Sequence, residues 1–218
     1  MRWTGILLAA ASVVLVSGTA FSAWKEHPYS DLGFAVEFPG EPATSTSTYH
    51  TVLVGNAPVH IYSRKEADAS YVASVVDLQD RAADGASLLI EAEFELSLLG
   101  DVSGNEVSRV EPGKDAVFGH FITVDCRSDK APDQPGQTEA ARKWYKAVSG
   151  LDCPDKARLT VNLLFTRGRL YLIQGMNDPN ADGTTALSPA ALRFANSVSL
   201  FAPGGQRNRA DGAGADGG

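Results

Sequence analysis

The sequence predicts an α+β domain, a mainly antiparallel sheet that carries helices. Short runs rich in Val, Thr, Ile and Tyr recur along the chain, each stopped by Gly or Pro. Some of these runs follow one another across only a few turn residues, as the arms of hairpins do. Between them lie longer stretches whose apolar side chains repeat at helical spacing. Strands, helix, strands, helix with hairpin connections is the α+β order.

The first strand is Phe34-Ala35-Val36-Glu37-Phe38, with three apolar side chains on one face and Pro39-Gly40 as its stop. Residues 44–54 are rich in Thr, Val and Tyr, Gly55-Asn56 supplies a turn, and residues 59–64 return, which makes a hairpin. Residues 71–78 form another β-branched run. Residues 84–99 fit two periods. Ile90-Glu91-Ala92-Glu93-Phe94-Glu95-Leu96 alternates like a strand, whereas Leu89, Ala92, Leu96 and Leu99 repeat like a helix. Length decides for the helix, with Asp84 placed to cap it and Gly100 to end it.

Residues 102–110 and 117–126 read as strands around Pro112-Gly113. A loop, Ala131-Pro132-Asp133-Gln134-Pro135-Gly136, leads to a short helix that Thr138 is placed to cap and Gly150 to close. Its inward side is Ala141, Trp144, Tyr145 and Val148. Residues 158–165 and 169–176, around Thr166-Arg167-Gly168, give the clearest hairpin. Ser188-Pro189 then starts a helix with Ala191, Leu192, Ala195 and Val198 on one face, and the domain closes at Phe201. No internal repeat is present.

At the start, Met1-Arg2-Trp3-Thr4-Gly5 precedes an apolar run, Ile6 to Val16, and then Ser17, Gly18, Thr19, Ala20, Ser22 and Ala23. This is the three-part secretory signal. The run is short of the about 20 apolar residues that span a bilayer. Gly18 and Ala20 favour cleavage after Ala20; Ser22 and Ala23 are alternative sites, and an uncleaved anchor is the other reading. No cysteine lies nearby to carry a lipid. Residues 1–23 are thus read as a cleavable signal and residues 24–201 as one domain. Residues 202–218, a Gly/Ala/Asp tail without apolar bulk, are expected to be disordered. The expected location is periplasmic or secreted, with no stable membrane anchor after cleavage.

Cys126 and Cys153 are the two cysteines of a chain bound for an oxidising compartment. Neither sits in a CxxC pair, so a structural disulfide is expected rather than a redox dithiol or zinc knuckle. It would contribute about 2–4 kcal/mol in the chain-entropy picture. The formal net charge is −7, and losing Arg2 makes the chain more acidic still. Phosphate backbones want a basic stripe, so no nucleic-acid partner is expected. The run Arg142-Lys143-Trp144-Tyr145-Lys146 reads as an amphipathic helix face, aromatics inward and basic groups in water.

Three segments taken in order carry a resemblance. They are Phe34-x-Val36-x-Phe38-Pro39-Gly40-x-Pro42, Gly168-Arg169-Leu170-Tyr171-x-Ile173 and Arg193-Phe194-x-Asn196-Ser197-x-x-Leu200-Phe201. Together they resemble a loose group of exported bacterial proteins whose fold is similar to that of PsbP, the extrinsic photosystem subunit. The resemblance covers roughly residues 30–201, by order and spacing more than by identity. It implies a central antiparallel sheet sandwiched by helices, and a helix over residues 84–99. These motifs are fold-forming, and the group carries no agreed catalytic residues, so none is carried over. The long bridged segment between the cysteines departs from the pattern.

No catalytic residue, cofactor or metal ligand is assigned from the sequence. The histidines are His27, His50, His60 and His120. With Gly55-Asn56 as the turn, His50 and His60 point to opposite faces of their hairpin; an odd-numbered turn would put them on the same face. His120 shares a strand face with Cys126, but six residues of strand is about 20 Å. Glu91, Glu93 and Glu95 read as a solvated acidic face. Asp178-Pro179-Asn180-Ala181-Asp182-Gly183 lacks most of a calcium-loop pattern and reads as a turn. No GxSxG, HExxH, P-loop or dinucleotide motif is present. The leading expectation is a non-enzymatic module that binds another envelope or secreted macromolecule. The alternative is a carrier holding a small apolar ligand between sheet and helix, and a dispersed-site hydrolase has least support. An interior pocket of about 300 Å³ or more would favour the carrier, and an exposed apolar patch the binding module.

Overall fold

Pairing of β-branched strands builds one large sheet whose two faces are both buried at its centre. The structure, a computed structural model, describes residues 23–78, 84–111, 117–127, 136–179 and 188–202. The signal up to residue 22, the turn at Pro112-Gly113, the loop 131–135, most of the Asp178–Gly183 segment and the tail from residue 203 lie outside the described residues. The elements are β1 (Lys25–Tyr29), β2 (Phe34–Phe38), β3 (Ala43–Thr51), β4 (Gly55–Lys65), β5 (Ala69–Asp77) and α1 (Gly85–Ser97). They continue as β6 (Gly100–Glu111), β7 (Val117–Cys126), α2 (Gln137–Ser149), β8 (Arg158–Thr166), β9 (Arg169–Asn177), α3 (Pro189–Asn196) and β10 (Ser199–Leu200). The large sheet runs β3-β4-β5-β9-β8-β7-β6, and a small one runs β1-β2-β10. Every pairing among these strands is antiparallel, so the class is α+β.

The two-residue period of a strand separates two cores. Leu159, Val161 and Leu163 of β8 and Leu170 and Leu172 of β9 face one side, beneath α1 and α2. There they meet Leu88, Ala92 and Leu96 of α1 and Ala141, Tyr145 and Val148 of α2. Leu164, Tyr171 and Ile173 face the other side, against Phe34, Val36 and Phe38 of the small sheet and Phe194 of α3. α1 lies over β7 and β8, whereas α2 lies over β3, β4 and β5. No helix among the described residues is long and apolar enough to cross a membrane.

Local chemistry explains the boundaries. Asp84 caps α1 by accepting from the Ala86 N–H, and Ser188 caps α3 by accepting from the Ala191 N–H. Arg167 and Gly168 take positive φ values of 49° and 70°, which close the β8–β9 hairpin in two residues. Four expectations are corrected. The N-cap of α2 is Gly136, not Thr138, which sits inside the first turn. The α1 helix stops at Ser97 with Leu98 as its cap, and Gly100 instead opens β6. Phe194, rather than Leu192, joins Ala191 and Ala195 on the buried face of α3. The β3–β4 turn is Val52-Leu53-Val54, because Thr51 pairs with Gly55 and Gly55 adopts φ 74° at the turn exit. Those apolar turn residues look like a continuing strand in the sequence, which displaces the expected register.

Cys126 and Cys153 are joined, with Cα atoms 5.7 Å apart. The link rests on β7 and β8 being neighbours. The segment entering β8 wraps the end of β7: the Cys126 N–H donates to the Ala157 carbonyl at 2.8 Å, and the Lys156 N–H donates to the Cys126 carbonyl at 2.9 Å.

Candidate interaction surface

The helix α1 buries one stripe and leaves an apolar one outside. Leu88, Leu89, Ala92 and Leu96 face the sheet. On the opposite side Ile90 is 64% exposed and Phe94 51%. Positions four apart fall on one helix stripe, so these two side chains stand together. The strand-like alternation of residues 90–96 is what puts them there: on a helix it spreads the glutamates to the flanks.

Those flanks are not solvated, which corrects the expectation for Glu91, Glu93 and Glu95; all three are half-buried. Glu91 accepts from the Thr51 hydroxyl and, at 3.0 Å, from the Val52 N–H. The Thr51 hydroxyl also accepts the Leu53 N–H at 3.1 Å. The hairpin tip is thereby held against the helix with Val52 91% and Leu53 53% exposed. On the other flank Glu93 pairs with His120 Nδ1 of β7. Glu95 is pushed above the usual carboxylate range by burial first and by the Glu91 charge second. Its Oε2 atom is enclosed and has no hydrogen-bond partner.

Val52, Leu53, Ser87, Ile90, Glu91 and Phe94 line a surface depression of about 400 Å³. Tyr49 underlies this corner, fully buried, its ring edge-on to Trp144 of α2 at 6.0 Å. Burial, then Glu91, raises the Tyr49 hydroxyl well above its ordinary value. A second depression, about 350 Å³, is lined by Pro28, Tyr29, Ser30, Asp31, Leu32 and Tyr62. It is less apolar, and Tyr29 and Tyr62 there pack on each other with centroids 3.8 Å apart.

The histidines do not converge. His50 pairs with Asn56 and His60 with Thr46, so both point to the same face, contrary to expectation. The odd three-residue turn is the reason. They remain four residues apart along the hairpin, about 13 Å. His50 Nδ1 instead lies 2.8 Å from Asn56 Oδ1. Among the described residues no group of three or more His, Cys, Asp or Glu side chains is placed to hold a metal ion. The basic run on α2 is engaged locally: Lys143 with Glu139, Lys146 with Asp152, and Arg142 with the Arg127 and Cys153 carbonyls.

From the sequence Val52 and Leu53 belong to a strand and Ile90 and Phe94 to an ambiguous run, and none of the four is a candidate site residue. Ile90 and Phe94 are two of the four bulky apolar side chains of residues 84–99 outside the inward set; the other two, Leu88 and Leu98, pack into the core. No known protein family and no curated protein matches the chain.

Proposed function

We propose that the protein is an exported module of PsbP-like architecture that binds another envelope or secreted macromolecule through the outer stripe of α1 and the β3–β4 tip. The observation that carries this reading is the apolar surface of Val52, Leu53, Ile90 and Phe94. A contiguous apolar patch with a polar rim costs solubility, and it is kept where something docks. The PsbP-like part is supported by the layering, with helices on both faces of a central antiparallel sheet. A carrier wants enclosed apolar space. Here Tyr49, Tyr145, Tyr171, Phe34, Phe38 and Phe194 are buried in the two cores, and the two depressions described above open on the surface.

The test is photo-crosslinking in the secreting cell, with the reactive group at Leu53 or Phe94 and at Lys65 as a remote exposed control. A discrete adduct at the first two positions and none at Lys65 is expected. Equal labelling at all three overturns the reading.

A further inference from the structure

We propose that the segment docking on this surface is a cationic amphipathic helix, its apolar side chains over Ile90 and Phe94 and its Lys or Arg groups against Glu91 and Glu95. This rests on reading the surface as an interface. Charge favours such a partner. The thirteen residues of α1, Gly-Ala-Ser-Leu-Leu-Ile-Glu-Ala-Glu-Phe-Glu-Leu-Ser, contain three glutamates and no basic group. Glu91 is the sole charged side chain among those named as lining the depression. The whole chain carries −7.

The three carboxylates differ in their partners. Glu93 is matched by His120, and Glu91 is occupied by the hairpin tip. Neither Glu91 nor Glu95 has a basic partner among the described residues, and an incoming ammonium or guanidinium group supplies one. Spacing favours a helix. Ile90 and Phe94 lie one helical turn apart, about 6 Å along the axis. That matches the i, i+4 anchors of a helix laid into a groove.

The same observations disfavour the other occupants. A second copy would bring its own α1 glutamates against these, like charge on like charge. An anionic membrane meets the same repulsion. The chain's own C-terminal segment has Arg207 and Arg209 but no apolar side chain larger than Ala beyond residue 203, so it cannot fill the depression.

The experiment titrates the mature protein with a labelled peptide of about 16 residues, Leu on one helical face and Lys on the other. A Leu/Glu version and a scrambled Leu/Lys version serve as comparisons, and the Ile90 methyl resonance reports the site. The Leu/Lys peptide is expected to shift that methyl and to bind several-fold more weakly when salt rises from about 0.05 to about 0.3 M. Glu91→Gln/Glu95→Gln should weaken it by a similar factor, and Ile90→Ser/Phe94→Ser should remove it. If all three peptides shift Ile90 alike, the cationic partner is wrong while the interface stands. If the Leu/Lys peptide binds without moving Ile90, or none binds although position 94 crosslinks in cells, the cationic helix is overturned. Binding of phosphatidylglycerol vesicles that Phe94→Ser abolishes would overturn it in favour of a membrane. Crosslinking at Phe94 no stronger than at Lys65 removes the interface itself.

Discussion

Glu91 on α1 accepts the backbone N–H of Val52 at 3.0 Å, although 39 residues separate them in sequence. With the Thr51 hydroxyl on the same carboxylate, this joins a helix face and a hairpin tip into one surface. A turn of Val, Leu and Val has no polar side chain of its own to fix its shape, so the carboxylate does it from outside.

Thr51→Val keeps the shape of a fully buried side chain and deletes the hydroxyl that bridges Glu91 and the Leu53 N–H. A loss of about 1–2 kcal/mol is expected in chemical denaturation. Amide exchange at Val52 and Leu53 should quicken while the β8–β9 amides stay protected. Unchanged exchange at the tip would show that the bridge does not hold it.

Most of the fold was legible because it rests on local chemistry. Asp84, Ser188-Pro189 and Arg167-Gly168 act within one or two turns of themselves, so each boundary could be read where it stands. The β3–β4 register could not, since it depends on Gly55 taking φ 74° after an apolar turn that resembles strand. Nor could β10, whose pairing with β2 joins residues from opposite ends of the domain, or β1, whose Lys-Glu-His-Pro-Tyr has no apolar alternation to mark it as a strand. The exposed apolar patch of α1 and the β3–β4 tip was hidden for a related reason. Glu91, Glu93 and Glu95 look like the water-facing side of a helix until β3 and β7 are placed beside it.

Glu95 gives a prediction with a definite sign. Its carboxyl is raised by burial, then by Glu91 on the same helix, with the Tyr49 hydroxyl of β3 also sensing its charge. A raised carboxyl binds its proton more readily in the folded state than in the unfolded one. Stability therefore falls as pH climbs from the ordinary carboxylate range through the raised value. Glu95→Gln should melt higher than the wild type near neutral pH, and the gap should close below about pH 4. A lower melting temperature for Glu95→Gln near neutral pH would contradict this.

The disulfide spans 27 residues of sequence, for which the chain-entropy relation gives about 3.5 kcal/mol. Cys126→Ala/Cys153→Ala should lose roughly that amount. The loss should be felt first at the end of β7 and in α2, which the bridge encloses, so their amides should exchange before those of β5 or β9. Peptide mapping without reductant should recover the two cysteines as one linked fragment; free thiols at both positions would defeat the assignment.

Gly175 sits where β9 passes beneath α3. A Cβ added there would lie 2.6 Å from Ala191 Cα and 2.8 Å from its carbonyl oxygen. Both are backbone atoms, so no rotamer change makes room and α3 must lift. Lifting it pulls at Phe194, whose ring packs 4.8 Å from Phe38 and 5.3 Å from Tyr71. It also strains the bond from the Asn162 amide to the Ala195 carbonyl, 3.1 Å long. Gly175→Ala should therefore cost about 1–3 kcal/mol, the range for overpacking. The damage should stay on this side of the sheet, because α1 and the β3–β4 tip rest on the opposite face. Exchange should quicken in α3 and β2, while the Ile90 methyl resonance should keep its position. Wild-type stability in Gly175→Ala would show that α3 has room to spare. A displaced Ile90 signal would mean that the sheet carries strain from one face to the other.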